Sequence, residues 1–110
     1  MEKIKIKTTY FEFFAFIQLS RQDYIKKIII QKEHYKIILN GIEIIEFKAL
    51  LEAFTRGALK KKKTKLYEIL FFEEETKIKI QEIMFNMVEV LILKEIMFAL
   101  SKKYSLIEIN

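Results

Sequence analysis

The chain opens on strict alternation, with Lys3, Lys5 and Lys7 separated by Ile4 and Ile6. A period of two is that of a half-buried strand. Directly behind it, "YFEFFAFIQL" (10–19) brings Tyr10, Phe11, Phe13, Phe14 and Phe16 into one strand-length stretch. Taken as one extended segment, residues 3–19 place the three lysines, Phe11 and Phe13 on odd positions. Ile4, Ile6, Tyr10, Phe14 and Phe16 fall on even ones, so the apolar face changes parity near Thr8–Tyr10. Two outcomes are open. A β-bulge there would rotate both apolar runs onto one core. Without it, the odd face grades from lysines into Phe11 and Phe13.

"SRQD" (20–23) reads as a turn, "YIKKIIIQ" (24–31) as a β-branched strand, and "KEH" (32–34) as another turn. In "YKIILNGIEIIEF" (35–47), Asn40-Gly41 tolerates the positive φ of a type I′ turn. The expectation is a tight hairpin pairing Leu39 with Ile42 and Ile37 with Ile44. Four strands are thus predicted over residues 3–45. The pattern then changes. "EFKALLEAFTRG" (46–57) is rich in helix formers, and Phe47, Leu50, Leu51 and Phe54 make one stripe. Gly57 supplies the stop.

In the second half, "TKLYEILFF" (64–72) and "TKIKIQEI" (76–83) predict a hairpin around Glu73–Glu75. Beyond it two readings stay open. The spacing of Glu75, Lys79, Glu82, Asn86 and Glu89 fits one long helix over 77–103. "KIKI" fits a strand first, with helix at least from Lys94 onward. A shift of 46 residues lays residues 37–56 over 83–102, with Ile37/Ile83, Asn40/Asn86, Glu43/Glu89, Lys48/Lys94 and Ala53/Ala99 identical. The fold predicted is α+β in a single domain, residues 1–110. An antiparallel sheet and a helix lead into a smaller strand-helix unit, with possible half-repeats 1–57 and 64–106 joined by a basic linker, 58–63.

At 110 residues the chain is long enough for one core, and 52% hydrophobic residues suffice to fold it. Zero Cys excludes a disulfide scaffold, a zinc ribbon and thiol chemistry, and fits a cytoplasmic protein. The alternating start and the short charge-free runs predict neither a secretory segment nor a membrane span. His34 is the only histidine, Asp23 the only aspartate, and there is no Gly-rich phosphate loop. Catalysis therefore finds little support, and no cofactor or metal is expected. Glu73–Glu75 offers oxygen ligands, but adjacent acids on a turn ordinarily face water.

Net charge is +5, and the excess is local: Arg56, Lys60, Lys61, Lys62, Lys63 and Lys65 form a block without an acid. Such a block attracts phosphate polymers or acidic surfaces. Lysines beside exposed rings on a sheet bind single-stranded nucleic acid, the cations following phosphates and the rings stacking on bases. The predicted site is Lys3, Lys5, Lys7, Phe11 and Phe13, with Arg56, Lys60, Lys61, Lys62 and Lys63 as a positive rim. The competing reading makes the phenylalanines ordinary core, where large apolar side chains usually lie.

Four antiparallel strands followed by a helix, present twice, resemble the PUR repeat and the similar Whirly and transcriptional-coactivator folds. The local likeness is "IILNGIEIIEFKALLEAF" (37–54), where a strand leads into Glu46-Phe47, then Leu51 and Phe54. The second half departs from the pattern, with no counterpart of "YFEFFAFIQL". The resemblance implies binding of single-stranded DNA or RNA on the concave sheet face, usually in a dimer. A second class of function is a small protein-interaction module acting through apolar surface, for which Met84, Met87 and Met97 are suited. A homodimer or assembly subunit is expected on either reading, because the apolar faces exceed what one small core needs.

Overall fold

Thr8 divides the segment read as one strand into two. A computed structural model describes residues 1–108, and in it β1 (Glu2–Lys7) and β2 (Glu12–Gln18) form an antiparallel hairpin. Thr8 Oγ1 accepts from the Tyr10 and Phe11 amides at 3.1 and 3.0 Å, and the Thr8 amide donates to the Phe11 carbonyl at 2.9 Å. This hydroxyl-backbone turn needs no Gly or Pro. The change of parity is therefore a turn, and neither of the two expected arrangements occurs at Thr8–Tyr10. A bulge exists further on, between Phe16 and Ile17, whose partners Lys27 and Ile25 leave Lys26 unpaired.

β3 (Tyr24–Lys32) and β4 (Tyr35–Asn40) complete a four-stranded antiparallel sheet in the order β1-β2-β3-β4. The turn read at residues 32–34 joins them, with Glu33 at φ +56. The hairpin expected at Asn40-Gly41 does not form. Ile37 pairs with Ile30 and Leu39 with Ile28, while the chain after Gly41 becomes α1 (Ile42–Thr55). Gly41 takes φ +55, and the Glu43 carboxylate accepts from the Asn40 amide at 3.0 Å. As a helix this segment buries Ile44, Phe47, Leu51 and Phe54 along one stripe, and that burial outweighs the Asn-Gly turn preference. The helix expected over 46–57 thus starts earlier. Four strands remain because one is lost to α1 and one is gained at Thr8.

The hairpin around Glu73–Glu75 forms as read, from β5 (Tyr67–Phe71) and β6 (Thr76–Ile80). β7 (Ile83–Phe85) extends this second sheet in the order β5-β6-β7, and α2 (Met87–Lys103) follows. A single helix over 77–103 is ruled out by the tight turn at Gln81, φ +54, and by the cap at Asn86. The Asn86 side chain accepts from the Glu89 amide at 2.9 Å, and the Glu89 carboxylate accepts from the Asn86 amide at 3.1 Å. This reciprocal capping box fixes where α2 begins. Asn40/Glu43 and Asn86/Glu89, aligned by the 46-residue shift, stand at equivalent strand-to-helix junctions, and in both the glutamate accepts from the asparagine amide.

Both sheets and both helices contribute to one buried cluster, in which α1 packs against α2. Phe11 meets Phe85 edge to face, ring centres 6.3 Å apart. Lys32 Nζ lies 2.7 Å from the Glu89 carboxylate, donates to the Met84 carbonyl at 2.8 Å, and sits over the Phe85 ring. Gln81 Nε2 donates to the Ile38 carbonyl at 3.2 Å. On α1, the Lys48 ammonium 2.6 Å from Glu52 holds that carboxyl below its ordinary value, so this contribution to stability is present at neutral pH and lost as pH falls through the depressed value. After α2, Tyr104 is buried and Ser105 pairs with Tyr24 in parallel. The Ile25 amide donates to the Ser105 carbonyl at 2.9 Å, and the Ser105 amide to the Asp23 carbonyl at 3.0 Å. No helix of the described residues is long and apolar enough to cross a membrane.

Candidate nucleic-acid interface

Side chains alternate across a strand, so the first sheet has two chemically distinct faces. Its inner face carries Phe13, Ala15, Ile17, Ile28, Ile30, Ile37 and Leu39 into the core, all fully buried. The outer face is set by register. Lys3 lies opposite Phe16, which lies opposite Lys27; Lys5 lies opposite Phe14, which lies opposite Ile29. Ile29 in turn faces Ile38, and Gln31 faces Lys36.

Cations and rings are in direct contact here. The Lys3 ammonium is 4.8 Å from the Phe14 ring centre and 5.8 Å from that of Phe16. Lys27 covers Phe16 at 4.8 Å, and Lys5 approaches Phe14 at 5.8 Å. Against Lys3, Lys5, Lys7, Lys27 and Lys36, the outward positions of these strands hold one carboxylate, Glu12, which is 3.7 Å from Lys5. The face is therefore positive, and Phe14 and Phe16 each lie against two lysine ammoniums.

The predicted lysines of β1 are on this face, but the predicted rings are not. Phe11 is 4% exposed and Phe13 is 0% exposed, both within the core. The reason is the even length of the turn. Four residues between Lys7 and Glu12 make odd positions of β1 share a face with even positions of β2. Phe14 and Phe16 take the places expected of Phe11 and Phe13. The Thr8-Thr9 pair was the local signal that could have revealed this turn.

Arg56 and Lys60–Lys63 belong elsewhere. Arg56 caps α1, and the lysine run forms a strap along β5, the outer strand of the second sheet. The Ile69 amide donates to the Lys62 carbonyl at 2.7 Å, and the Thr64 amide to the Tyr67 carbonyl at 2.8 Å. Tyr67 Oη donates to the Lys61 carbonyl, and Lys63 lies 3.5 Å from Glu68. Each of these contacts is to the second sheet, so the rim expected around the first one is not what the run forms.

No protein-family model matches this chain, and no curated protein or solved structure matches it. The outer face of the first sheet is the ground on which a function can be read.

Proposed function

We propose that the protein binds single-stranded DNA or RNA on the outer face of the first sheet, without catalysis and with little sequence preference. The supporting observation is the interleaving of Lys3, Lys5 and Lys27 with Phe14 and Phe16 at 4.8–5.8 Å. Lysines supply sequence-independent phosphate contacts, and each ring offers a stacking platform worth roughly 1–3 kcal/mol per base. An exposed ammonium-ring contact is worth about 0.5–1 kcal/mol, so an arriving base displaces the ammonium, which is then free to meet the adjoining phosphate. The resemblance to PUR repeats is part of this proposal: the first half offers four strands and a helix, the second three strands and a helix. A cytoplasmic location belongs to it as well, in keeping with the lack of cysteine.

Fluorescence anisotropy with single-stranded DNA and RNA over a salt series tests it. Changing Lys5 and Lys7 to Ala lowers affinity and flattens the salt slope by roughly one unit per lost phosphate contact. Phe14→Ala and Phe16→Ala each weaken binding by roughly tenfold, within the range of one lost stack, and leave the slope unchanged. A protein that binds neither nucleic acid at low salt ends the proposal.

A protein-interaction role is favoured by one observation. α2 exposes Met87, Val88, Leu91 and Phe98 on its solvent side. Association that ignores salt would support that reading, since counterion release governs the other.

A further inference from the structure

Where the end of α1 meets the strap, β5 and α2 there is an apolar groove of about 300 Å³ that the nucleic-acid reading does not use. Phe54 and Gly57 at the end of α1, Leu59 in the strap, Ile69 and Phe71 of β5 and Met87 of α2 line it. Phe71 projects beside it, 62% exposed, with the Lys62 ammonium 5.1 Å from its ring centre. Charge of both signs adjoins this lining along the chain: a basic bank of exposed Arg56 and Lys60–Lys62 beside Gly57 and Leu59, and the exposed acidic turn Glu73–Glu75 between Phe71 and Thr76, which completes the lining. Lys63 and Glu75 have ion-pair partners in Glu68 and Lys77, whereas Arg56, Lys60, Lys61, Lys62, Glu73 and Glu74 have none among the described residues.

We propose that this face joins two copies of the chain about a two-fold axis. Phe71 of each copy enters the groove of the other, and each acidic turn lies against the other copy's basic bank. An interface across a two-fold must be self-complementary. A projecting ring beside a groove, with both signs of charge flanking it, meets that condition within one patch. A phosphate polymer would gain from Arg56 and Lys60–Lys62 but be repelled by Glu73–Glu75, which favours a second copy as the occupant. The inference stands apart from nucleic-acid binding, because it rests on different residues.

Analytical ultracentrifugation of the full chain at micromolar concentration tests it. The expected mass is twice the 13.3 kDa of one chain, falling towards one chain as salt rises. Glu73→Lys with Glu74→Lys gives a monomer, and so does Lys61→Glu with Lys62→Glu. Mixing these two variants in equal amounts restores the dimer, because each acidic patch again meets a basic one. Phe71→Ala is also monomeric. All the changed side chains are exposed, and an unchanged far-UV circular dichroism spectrum confirms that the fold persists, because loss of a dimer lowers the melting temperature by itself. A wild-type chain that stays monomeric overturns the proposal. So does a dimer that survives either charge reversal or Phe71→Ala, or a mixture that fails to reassociate. A monomer whose Lys61→Glu, Lys62→Glu form alone loses nucleic-acid affinity overturns it too, and assigns the basic bank to phosphate.

Discussion

A Phe13→Ala protein is expected to lose roughly 3–5 kcal/mol of stability, read as a lower urea midpoint at unchanged slope. The ring is fully buried, in register with Ile6 on β1 and Ile30 on β3, both directed to the core. Truncation therefore removes its transfer energy and leaves a cavity that flanking strands, held by their ladders, close only in part. A domain of this size has about 5–15 kcal/mol in total, so the variant sits near the edge of folding. Phe14→Ala, one residue on, is the contrast. Its ring faces outward beneath Lys3, so its effect should appear in nucleic-acid affinity and barely in the melt. If Phe13→Ala folded normally and Phe14→Ala did not, the inner and outer faces of β2 would be exchanged.

The second large effect is expected at Glu89. This carboxylate is 3% exposed, caps α2 through the Asn86 amide, and pairs with Lys32 at 2.7 Å. Glu89→Ala leaves the Lys32 ammonium partly buried with the Met84 carbonyl as its remaining partner, and removes half of the capping box. Breaking a buried pair from one side costs about 3–5 kcal/mol, and the lower end applies here because Lys32 keeps some contact with water. Adding Lys32→Met to Glu89→Ala should recover part of the loss, since an apolar side chain no longer needs a counter-charge there. Urea unfolding of the two single variants and the double one gives the coupling directly. A Glu89→Ala cost below about 1 kcal/mol, no more than an exposed pair contributes, would mean that the pair is solvated and does not tie the halves together.

Much of the architecture was readable in the residues, and the failures have local causes. Alternation located β1, and β-branched runs located β3 and β4. The acidic turn and its flanking strands stood out because apolar and polar stretches change sharply at Glu73. What escaped were turns made without the usual residues. Thr8 closes its turn through its own hydroxyl, and Gln81 adopts positive φ where Gly or Asn would be expected. Asn40-Gly41 misled in the other direction. Its positive φ is real, but it admits a helix instead of a returning strand. The site inherited one of these errors. The lysines were placed correctly because β1 alternates cleanly, and the rings were misassigned because the unseen turn exchanged odd for even. The strap was legible only as charge, since its backbone bonds to β5 depend on folding of the second sheet.

The clasp between Ser105 and Tyr24 sets an order of events along the chain. Its two hydrogen bonds join residues far apart in sequence, and the entropy of closing so long a loop is recovered only once everything between them is in place. It is therefore expected to close late during folding and to open early afterwards. Native-state amide hydrogen exchange should show this as one small opening unit. The amides of Ile25 and Ser105 would exchange together and faster than those at the centre of β3, although Ile25 is a fully enclosed core residue. Exchange of the Ile25 amide as slow as that of the central β3 amides would instead mean that the end of the chain unfolds only with the whole molecule.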